Sequence, residues 1–292
     1  MTNYHYRSDN DLNDYSRYTF LGWSLKYVEN GLVQNNDTIT YVDLESLVVT
    51  NTINLYACYK IEDVRGVETD MRYFTCVNSA NGYEIKINDE YKNVLEGKIT
   101  LPSRYNGNDI TMIANYGFAD TTKISHIFFK TDAKYTKVGK NGFSNSKVRV
   151  VDLPPSIRII DDYAFYNCIE LTQVSLNDNI TTIGSYAFAG SYDQSLQVQI
   201  SKLPSSLTLL GSFAFLYAGP NITISELPTN LSKLGTYTFN QCANVRILTI
   251  PETITLQSNA LAYSGINYRD SGYEVNIYIS ASTTEEAQEK IG

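Results

Sequence analysis

A short phrase, written as IGSYAF at 183–188 and LGSFAF at 210–215, recurs seven times and constrains the fold more than any other feature. Its closing apolar residues follow one another at steps of 25, 22, 23, 27, 24 and 22 residues. Self-similarity at this period is typical of a solenoid, in which each repeat covers the apolar face of its neighbour. The sequence therefore predicts a repeat solenoid. The closing residues are Phe118, Phe143, Phe165, Phe188, Phe215, Phe239 and Leu261.

Four consecutive repeats share a stricter internal spacing of seven and then five residues, as in Leu153, Ile160 and Phe165. Segments such as QVSL at 173–176 alternate apolar and polar residues, which favours short strands. A proline follows the strand in four repeats and ends it by removing a donor. The array is therefore predicted to be mainly β with short helical or 3-10 turns. The prolines are Pro154, Pro204, Pro228 and Pro251.

The closing phenylalanines are predicted to point inward and to form one column, because parallel strands stack about 4.8 Å apart. Gly184, Gly211 and Gly235 are predicted to form the corners by adopting positive φ. Cys168 and Cys242 occupy equivalent places in the repeat, and we expect them to be buried small hydrophobic residues.

The phrase resembles the BspA-like leucine-rich repeats, in which a strand is followed by LP and by a run ending I-G-x-x-A-F. LPPSIRIIDDYAFYNC at 153–168 matches that pattern closely, and LTQVSLNDNITTIGSYAF at 171–188 fits almost as well. The resemblance covers about 75–290. It implies a leucine-rich-repeat-like solenoid with a capping hairpin at 73–100 and a closing strand and helix at 277–292.

YTFLGWS at 18–24 and TNTINLYACYK at 50–60 resemble the internalin B-repeat family. That resemblance implies a small β-grasp-like domain of the kind found on bacterial surface proteins. The predicted organisation is an N-terminal arm at 1–17, a small β domain at 18–60, a connector at 61–72, the capping hairpin at 73–100, the solenoid at 101–276 and the C-terminal cap at 277–292.

Composition excludes several classes of function. The formal charge of −8 argues against binding nucleic acid. Only His5 and His126 are available for acid–base or metal chemistry, so we predict no enzyme, cofactor or metal site. Asp9, Asp11 and Asn13 are spaced as in a calcium loop, but the glycine and glutamate that such a loop requires are missing. The start is polar and no segment has the roughly 20 apolar residues of a span, so we expect no signal peptide, anchor or membrane span.

Tyrosine is the most unusual residue, with 24 copies against 11 phenylalanines. Tyrosines near the ends of the repeats are predicted to form a binding strip for a protein or glycan surface, and the alternative is that they only cover the core. A second group in the arm is predicted to dock onto a partner. The strip residues are Tyr166, Tyr192, Tyr217, Tyr263 and Tyr268, and the arm residues are Tyr4, Tyr6, Tyr15 and Tyr18.

The favoured function is non-enzymatic recognition through an extended repeat surface. A phage virion component, either a capsid fibre or decoration or a tail-associated adhesin, would agree both with the resemblance to surface proteins and with the polar start. Such a component could contact other virion proteins through the arm. A fragment of a bacterial cell-surface adhesin is the alternative, and a glycan-acting enzyme is the alternative from another class. A homo-oligomer is compatible with either surface role.

Overall fold

The structure, a computed structural model, describes residues 16–24, 32–33, 55–63, 68–245, 249–251, 253–257, 259–261 and 278–279. The chain forms two compact units, residues 1–67 and 68–292. Among the described residues, no helix has the length and apolar character needed to cross a membrane.

The first unit contains a three-stranded sheet of order β1-β3-β2. β1 and β3 are antiparallel, whereas β2 runs parallel to β3. The register of β1 shifts between Phe20 and Gly22, inside the FLGW segment. The likeness of this unit to the internalin B-repeat stays a prediction. The strands are β1 Ser16–Ser24, β2 Leu32–Val33 and β3 Tyr56–Asp63.

The second unit is a coil of about seven turns whose described strands form a ten-stranded, a four-stranded and a two-stranded sheet. It begins with a 3-10 turn at Met71–Tyr73 and an antiparallel hairpin, β4–β5, and a second 3-10 turn follows at Asp89–Tyr91. The strands are β4 Phe74–Ser79, β5 Gly82–Ile87, β6 Gly97–Leu101, β7 Arg104–Tyr105, β8 Asn108–Ile113, β9 Ile124–Phe129, β10 Lys137–Val138, β11 Val150–Val151, β12 Ile159–Ile160, β13 Gln173–Val174, β14 Thr182–Ile183, β15 Leu209–Leu210, β16 Lys233–Leu234, β17 Thr249–Ile250, β18 Thr255–Leu256 and β19 Tyr278–Ile279.

A ten-stranded sheet has the order β18-β16-β15-β14-β12-β10-β8-β5-β4, with β7 paired to β8. Its seven strands from β8 to β18 come one from each turn of the coil, and the hairpin β4–β5 and β7 supply the other three. A four-stranded sheet of order β13-β11-β9-β6 forms a second side, and β19 pairs with β17. From β8 onward the long sheet is parallel and keeps one register, so that Ile160, Ile183 and Leu210 follow one another on its inner face. The predicted solenoid is confirmed.

The predicted phenylalanine column is also confirmed. Six closing phenylalanines stack with ring centroids 5.1 to 5.5 Å apart, and none is more than 1% exposed. At its first end the column meets Phe74 of the hairpin, 6.1 Å from Phe118. We call these six residues the inner column: Phe118, Phe143, Phe165, Phe188, Phe215 and Phe239.

The prediction that the repeat glycines form the corners through positive φ is wrong. Positive φ occurs instead at the residue two places before each closing residue, such as Tyr186 with φ 57°. Gly211 is required for a different reason, because a Cβ on it would lie 2.4 Å from the backbone nitrogen of Ser185 in the previous turn. The same crowding occurs at Gly184 and Gly235. These glycines therefore permit close approach between turns of the coil.

Cys168 and Cys242 are buried, as predicted. The Cys168 thiol donates to the carbonyl oxygen of Phe143 at 2.8 Å, and the Cys242 thiol donates to that of Phe215 at 2.9 Å. Each thiol therefore satisfies a backbone acceptor of the preceding turn, which is a structural role. Apart from β19, the predicted C-terminal cap at 277–292 lies outside the described residues.

Candidate functional site

A second column of aromatic rings runs along the outside of the array, one ring per turn of the coil. The rings stack face to face, with centroids 4.8, 4.8 and 5.5 Å apart and interplanar angles of 5°, 13° and 23°. Every member is partly exposed to solvent. We call this set the outer column: Tyr163, Tyr186, Phe213 and Tyr237.

The backbone explains why two columns form from one phrase. All four residues of the outer column have φ between 52° and 58°, in the left-handed region. In the Tyr186 turn this conformation accompanies a partly exposed residue at 186, while Ala187 and Phe188 are fully buried. The left-handed conformation costs roughly 1–2 kcal/mol for a residue with a Cβ. Stacking contributes about 0.5–1.5 kcal/mol for each pair of rings and offsets that cost.

Stacking covers both faces of Tyr186 and of Phe213, so the exposed part of each of these two rings is its edge. One face of Tyr163 is covered by Tyr186, and the Lys140 ammonium lies 5.9 Å from its ring centroid. Tyr166 packs edge-on against Tyr163, with ring centroids 5.6 Å apart and planes at 71°. The beginning of the outer column is therefore extended sideways by one more phenol.

A tight hairpin beside the column presents the most exposed of the large hydrophobic residues described, Tyr192. Ser191 and Gln194 exchange backbone hydrogen bonds of 3.0 and 3.2 Å, with Tyr192 at the tip. The Tyr192 side chain is 83% exposed and contacts Tyr217 edge-on, with centroids 5.8 Å apart. Gly190 fixes the base of the hairpin, because its backbone N–H donates to the carbonyl oxygen of Leu216 at 2.7 Å. A Cβ at this position would lie 2.5 Å from the carbonyl oxygen of Tyr217, so only glycine permits the close approach. The ring of Tyr192 is thus held outward on an ordered support.

The predicted strip residues are divided between these two features. Tyr166 directly follows a closing phenylalanine and packs on the outer column, whereas Tyr217 lies one place further along and packs on the hairpin with Tyr192. The structure gives only the backbone of Tyr18, in β1. The other predicted binding residues lie outside the described part of the chain: Tyr263, Tyr268, Tyr4, Tyr6 and Tyr15.

The outer column was not predicted from the sequence as a site, although the sequence contains a signal for it. The position two places before the closing residue is aromatic in five of the seven copies and asparagine in the other two. The aromatic residues are Tyr116, Tyr163, Tyr186, Phe213 and Tyr237, and the asparagines are Asn141 and Asn259. We define the tyrosine edge as the outer column together with Tyr166, Tyr192 and Tyr217.

The chemistry of the tyrosine edge is that of neutral phenols. Partial burial raises the pKa of Tyr186, and the neighbouring phenols Tyr163 and Tyr166 raise it further by a smaller amount. At neutral pH this hydroxyl therefore stays protonated and can both donate and accept hydrogen bonds. The edge offers apolar ring edges and hydroxyls in a regular row, which suits binding.

Reactive groups elsewhere have structural explanations. Burial raises the pKa of both the Cys168 and the Cys242 thiols to about 12, so neither is a nucleophile at neutral pH. His126 is buried, and its Nδ1 lies 2.8 Å from the Ser125 hydroxyl. Within the described ranges no three His, Cys, Asp or Glu side chains are grouped as a metal site would need. The calcium-like residues Asp9, Asp11 and Asn13 lie outside those ranges.

Comparison with known proteins identifies the array. A family model described as a BspA type leucine-rich repeat region matches residues 86–201 and 190–280 in six copies. A leucine-rich repeat protein from T. pallidum has a similar crystal structure, with a TM-score of 0.52 and 20% identity over 66% of this chain and 82% of that one. One from Bacteroides ovatus gives a TM-score of 0.50 and 18% identity over 66% and 56%. At these identities the likeness concerns the fold. No curated protein matches significantly.

Proposed function

Because this chain belongs to the BspA-type leucine-rich repeat family, we propose that it is a surface recognition protein whose tyrosine edge binds a protein partner. The role is one of binding, with no catalytic step. The observation that carries this proposal is the ordered and solvent-facing row of aromatic side chains on one edge of a rigid coil.

The arrangement of the rings favours a protein over a glycan. An aromatic ring carries negative charge on its faces and positive charge around its edge. The C–H groups of a sugar are weakly positive and therefore prefer a ring face, but stacking occupies the faces within the outer column. Exposed edges instead attract carbonyl and carboxylate oxygens and the faces of aromatic side chains, which proteins supply. Tyr166 on Tyr163 shows the edge-on contact within this chain.

Preorganisation strengthens the same proposal. Tyrosine is enriched among residues that dominate binding energy, because it buries a large area with few rotatable bonds. Tyr192 stands 83% exposed on a hairpin whose base is fixed by Gly190. The backbone of the hairpin is already held by hydrogen bonds, so little backbone entropy is lost at this position when a partner binds.

The experiment compares the chain with two edge variants on parallel arrays of extracellular proteins and of glycans. Tyr192→Ala and Tyr186→Ser are expected to weaken binding to a protein ligand by about tenfold or more each, since hot-spot truncations cost about 2 kcal/mol. Tyr105→Ala, on β7 and outside the tyrosine edge, is the control and should bind normally. Binding to glycans alone, or full binding by both edge variants, would contradict the proposal.

Placement on a cell surface or on a phage virion is a separate part of the proposal. Either placement requires the tyrosine edge to face outward. Antibodies against residues 68–292 should label intact cells in the first case and purified particles in the second. Labelling of neither intact cells nor purified particles would contradict both placements.

A further inference from the structure

The two sheets of the array differ at the end where the coil begins. In the four-stranded sheet the edge of β6 is closed by Thr69, whose backbone N–H donates to the carbonyl oxygen of Thr100 at 2.9 Å. The Thr69 hydroxyl accepts from the Thr100 backbone N–H at 3.0 Å. The ten-stranded sheet instead ends at β4, and no other described strand pairs with the outer side of β4.

The hydrogen-bonding groups on the open side of β4 follow from the pairing of the hairpin. Asn88 donates its backbone N–H to the carbonyl oxygen of Tyr73 at 2.9 Å, so these two residues occupy a hydrogen-bonded pair position next to β4, although the Tyr73 N–H itself donates to Asp70. Such pairs alternate along an antiparallel ladder. Thr75, Val77 and Ser79 therefore bond to β5, while Phe74, Cys76 and Asn78 direct their backbone groups outward.

Nothing in the strand itself blocks further pairing. Open edges are usually protected by charged side chains, proline or a bulge. β4 reads FTCVNS, with neither a charged residue nor a proline, and its register with β5 is continuous. The Val77 side chain on its outer face is 50% exposed.

We propose that β4 is a homodimer interface, at which a second copy of this chain adds its own β4 in antiparallel orientation. The outward backbone groups are centred on Cys76, so a two-fold axis there brings Cys76 opposite Cys76 of the second copy and Phe74 opposite Asn78. Each of these pairs exchanges both backbone hydrogen bonds. On the outer face Val77 lies opposite Thr75 of the second copy, which covers its exposed methyl groups.

Charge and register favour a second copy over an unrelated extended segment. Like charges placed directly opposite destabilise a strand pair, and β4 contains no charge that its copy could oppose. A symmetric pairing about Cys76 uses all three outward residues in one register. The interface joins two coils at their first turns and leaves the tyrosine edge of each copy free.

Sedimentation of the full chain over a range of concentrations tests this proposal. The wild type is expected to be a dimer that dissociates on dilution. Val77→Lys and Asn78→Pro should each weaken the dimer by about tenfold or more, because the first places two like charges close together and the second removes an edge donor. Val94→Lys replaces a valine that is 60% exposed and lies outside the strand, so it should leave the dimer unchanged. Far-UV circular dichroism checks that every variant is folded.

Hydrogen exchange locates the interface. The amides of Cys76 and Asn78 should be protected in the dimer and should exchange rapidly in the Val77→Lys monomer, whereas the amides of Thr75 and Ser79, which bond to β5, stay protected in both. A wild type that is monomeric at all concentrations would overturn the proposal. A dimer that both Val77→Lys and Asn78→Pro retain would also overturn it. Protection of the Cys76 and Asn78 amides in a monomer would overturn it too, since another segment would then cover the edge.

Discussion

The inner and outer columns have the same period and grow from the same six-residue phrase, yet they meet different environments. Phe188 is fully buried between Phe165 and Phe215, while Tyr186, two residues earlier, is stacked but partly exposed. The difference lies in the left-handed backbone of Tyr186. One aromatic residue per turn is thereby assigned to stability and another to the surface.

Variation within this chain fits that division. The inner position is phenylalanine in all six of the stacked turns, because a dry column packs only one shape well. The outer position includes tyrosine, phenylalanine and asparagine. A surface position tolerates these changes, since solvent accommodates the differences in size and polarity.

The largest expected effect comes from truncating one ring in each column. Phe188→Ala should lower the free energy of unfolding by about 3–5 kcal/mol, because it leaves a cavity in the dry column. Tyr186→Ala should cost about 1–2 kcal/mol, since it removes two ring contacts at a partly solvated site. Urea unfolding followed by circular dichroism measures both values. Equal losses would break the distinction between the columns.

A methyl group between turns should have the next largest effect. Gly211→Ala is expected to cost about 1–3 kcal/mol, because the new Cβ meets the backbone of Ser185 and cannot be relieved by a side-chain rotation. Gly107→Ala is the control. At Gly107 φ is 78° and a Cβ has open space, so only about 1 kcal/mol of backbone strain is expected. A smaller loss at Gly211 than at Gly107 would contradict the close approach between turns.

Alkaline pH should lower the free energy of unfolding of the array through its two buried thiols. The folded pKa of Cys168 and of Cys242 is raised by burial from 9.0 to about 12, so the folded state holds its thiol protons where the unfolded state loses them. The stability that these thiols provide is full below pH 9 and falls between about pH 9 and pH 12. The slope is up to about 1.4 kcal/mol per pH unit for each thiol.

Urea unfolding at several alkaline pH values measures that slope. Replacing both thiols, as Cys168→Ala with Cys242→Ala, should make the decline shallower even though the double variant is less stable at neutral pH. Phenols also titrate in this range, so the comparison uses the difference between the two slopes. An identical slope in the two proteins would show that the thiols are not buried as described.

The smallest expected effect is a change in backbone strain at Tyr116, which is equivalent in the repeat to the residues of the outer column. Tyr116 has φ 57°, is 59% exposed and precedes the outer column. Tyr116→Gly should be more stable than Tyr116→Ala by about 1 kcal/mol, because glycine adopts positive φ without penalty. Thermal unfolding resolves such a difference. A less stable glycine variant would mean that the left-handed geometry is absent at this position.

The sequence was sufficient for the solenoid and for the inner column because both depend on strict spacing. The seven-and-five rhythm through Ile160 and Phe165 leaves one way to bring every closing phenylalanine to a shared interior. It was not sufficient for the corner geometry. Positive φ is commonest at glycine, so Gly184 was the natural choice, whereas the structure places it at Tyr186 and uses the glycine for close contact between turns.

The tyrosine edge shows a similar limit. Tyr166 and Tyr217 were grouped because both lie just after a closing phenylalanine, but they differ by one place in that offset and pack on different features. The pairing of Tyr192 with Tyr217 joins an inserted hairpin to the next turn of the coil. Such a contact depends on loop conformation, which the period of the repeat does not determine.

Hydroxyl-radical footprinting with mass spectrometry tests the two-column account most directly, because it labels phenylalanine and tyrosine side chains according to their exposure. In the folded chain we expect Tyr163, Tyr186 and Tyr237 to be labelled and their near neighbours Phe165, Phe188 and Phe239 to be protected, with both sets labelled after unfolding. Labelling of Phe188 as rapid as that of Tyr186 in the folded chain would contradict the account.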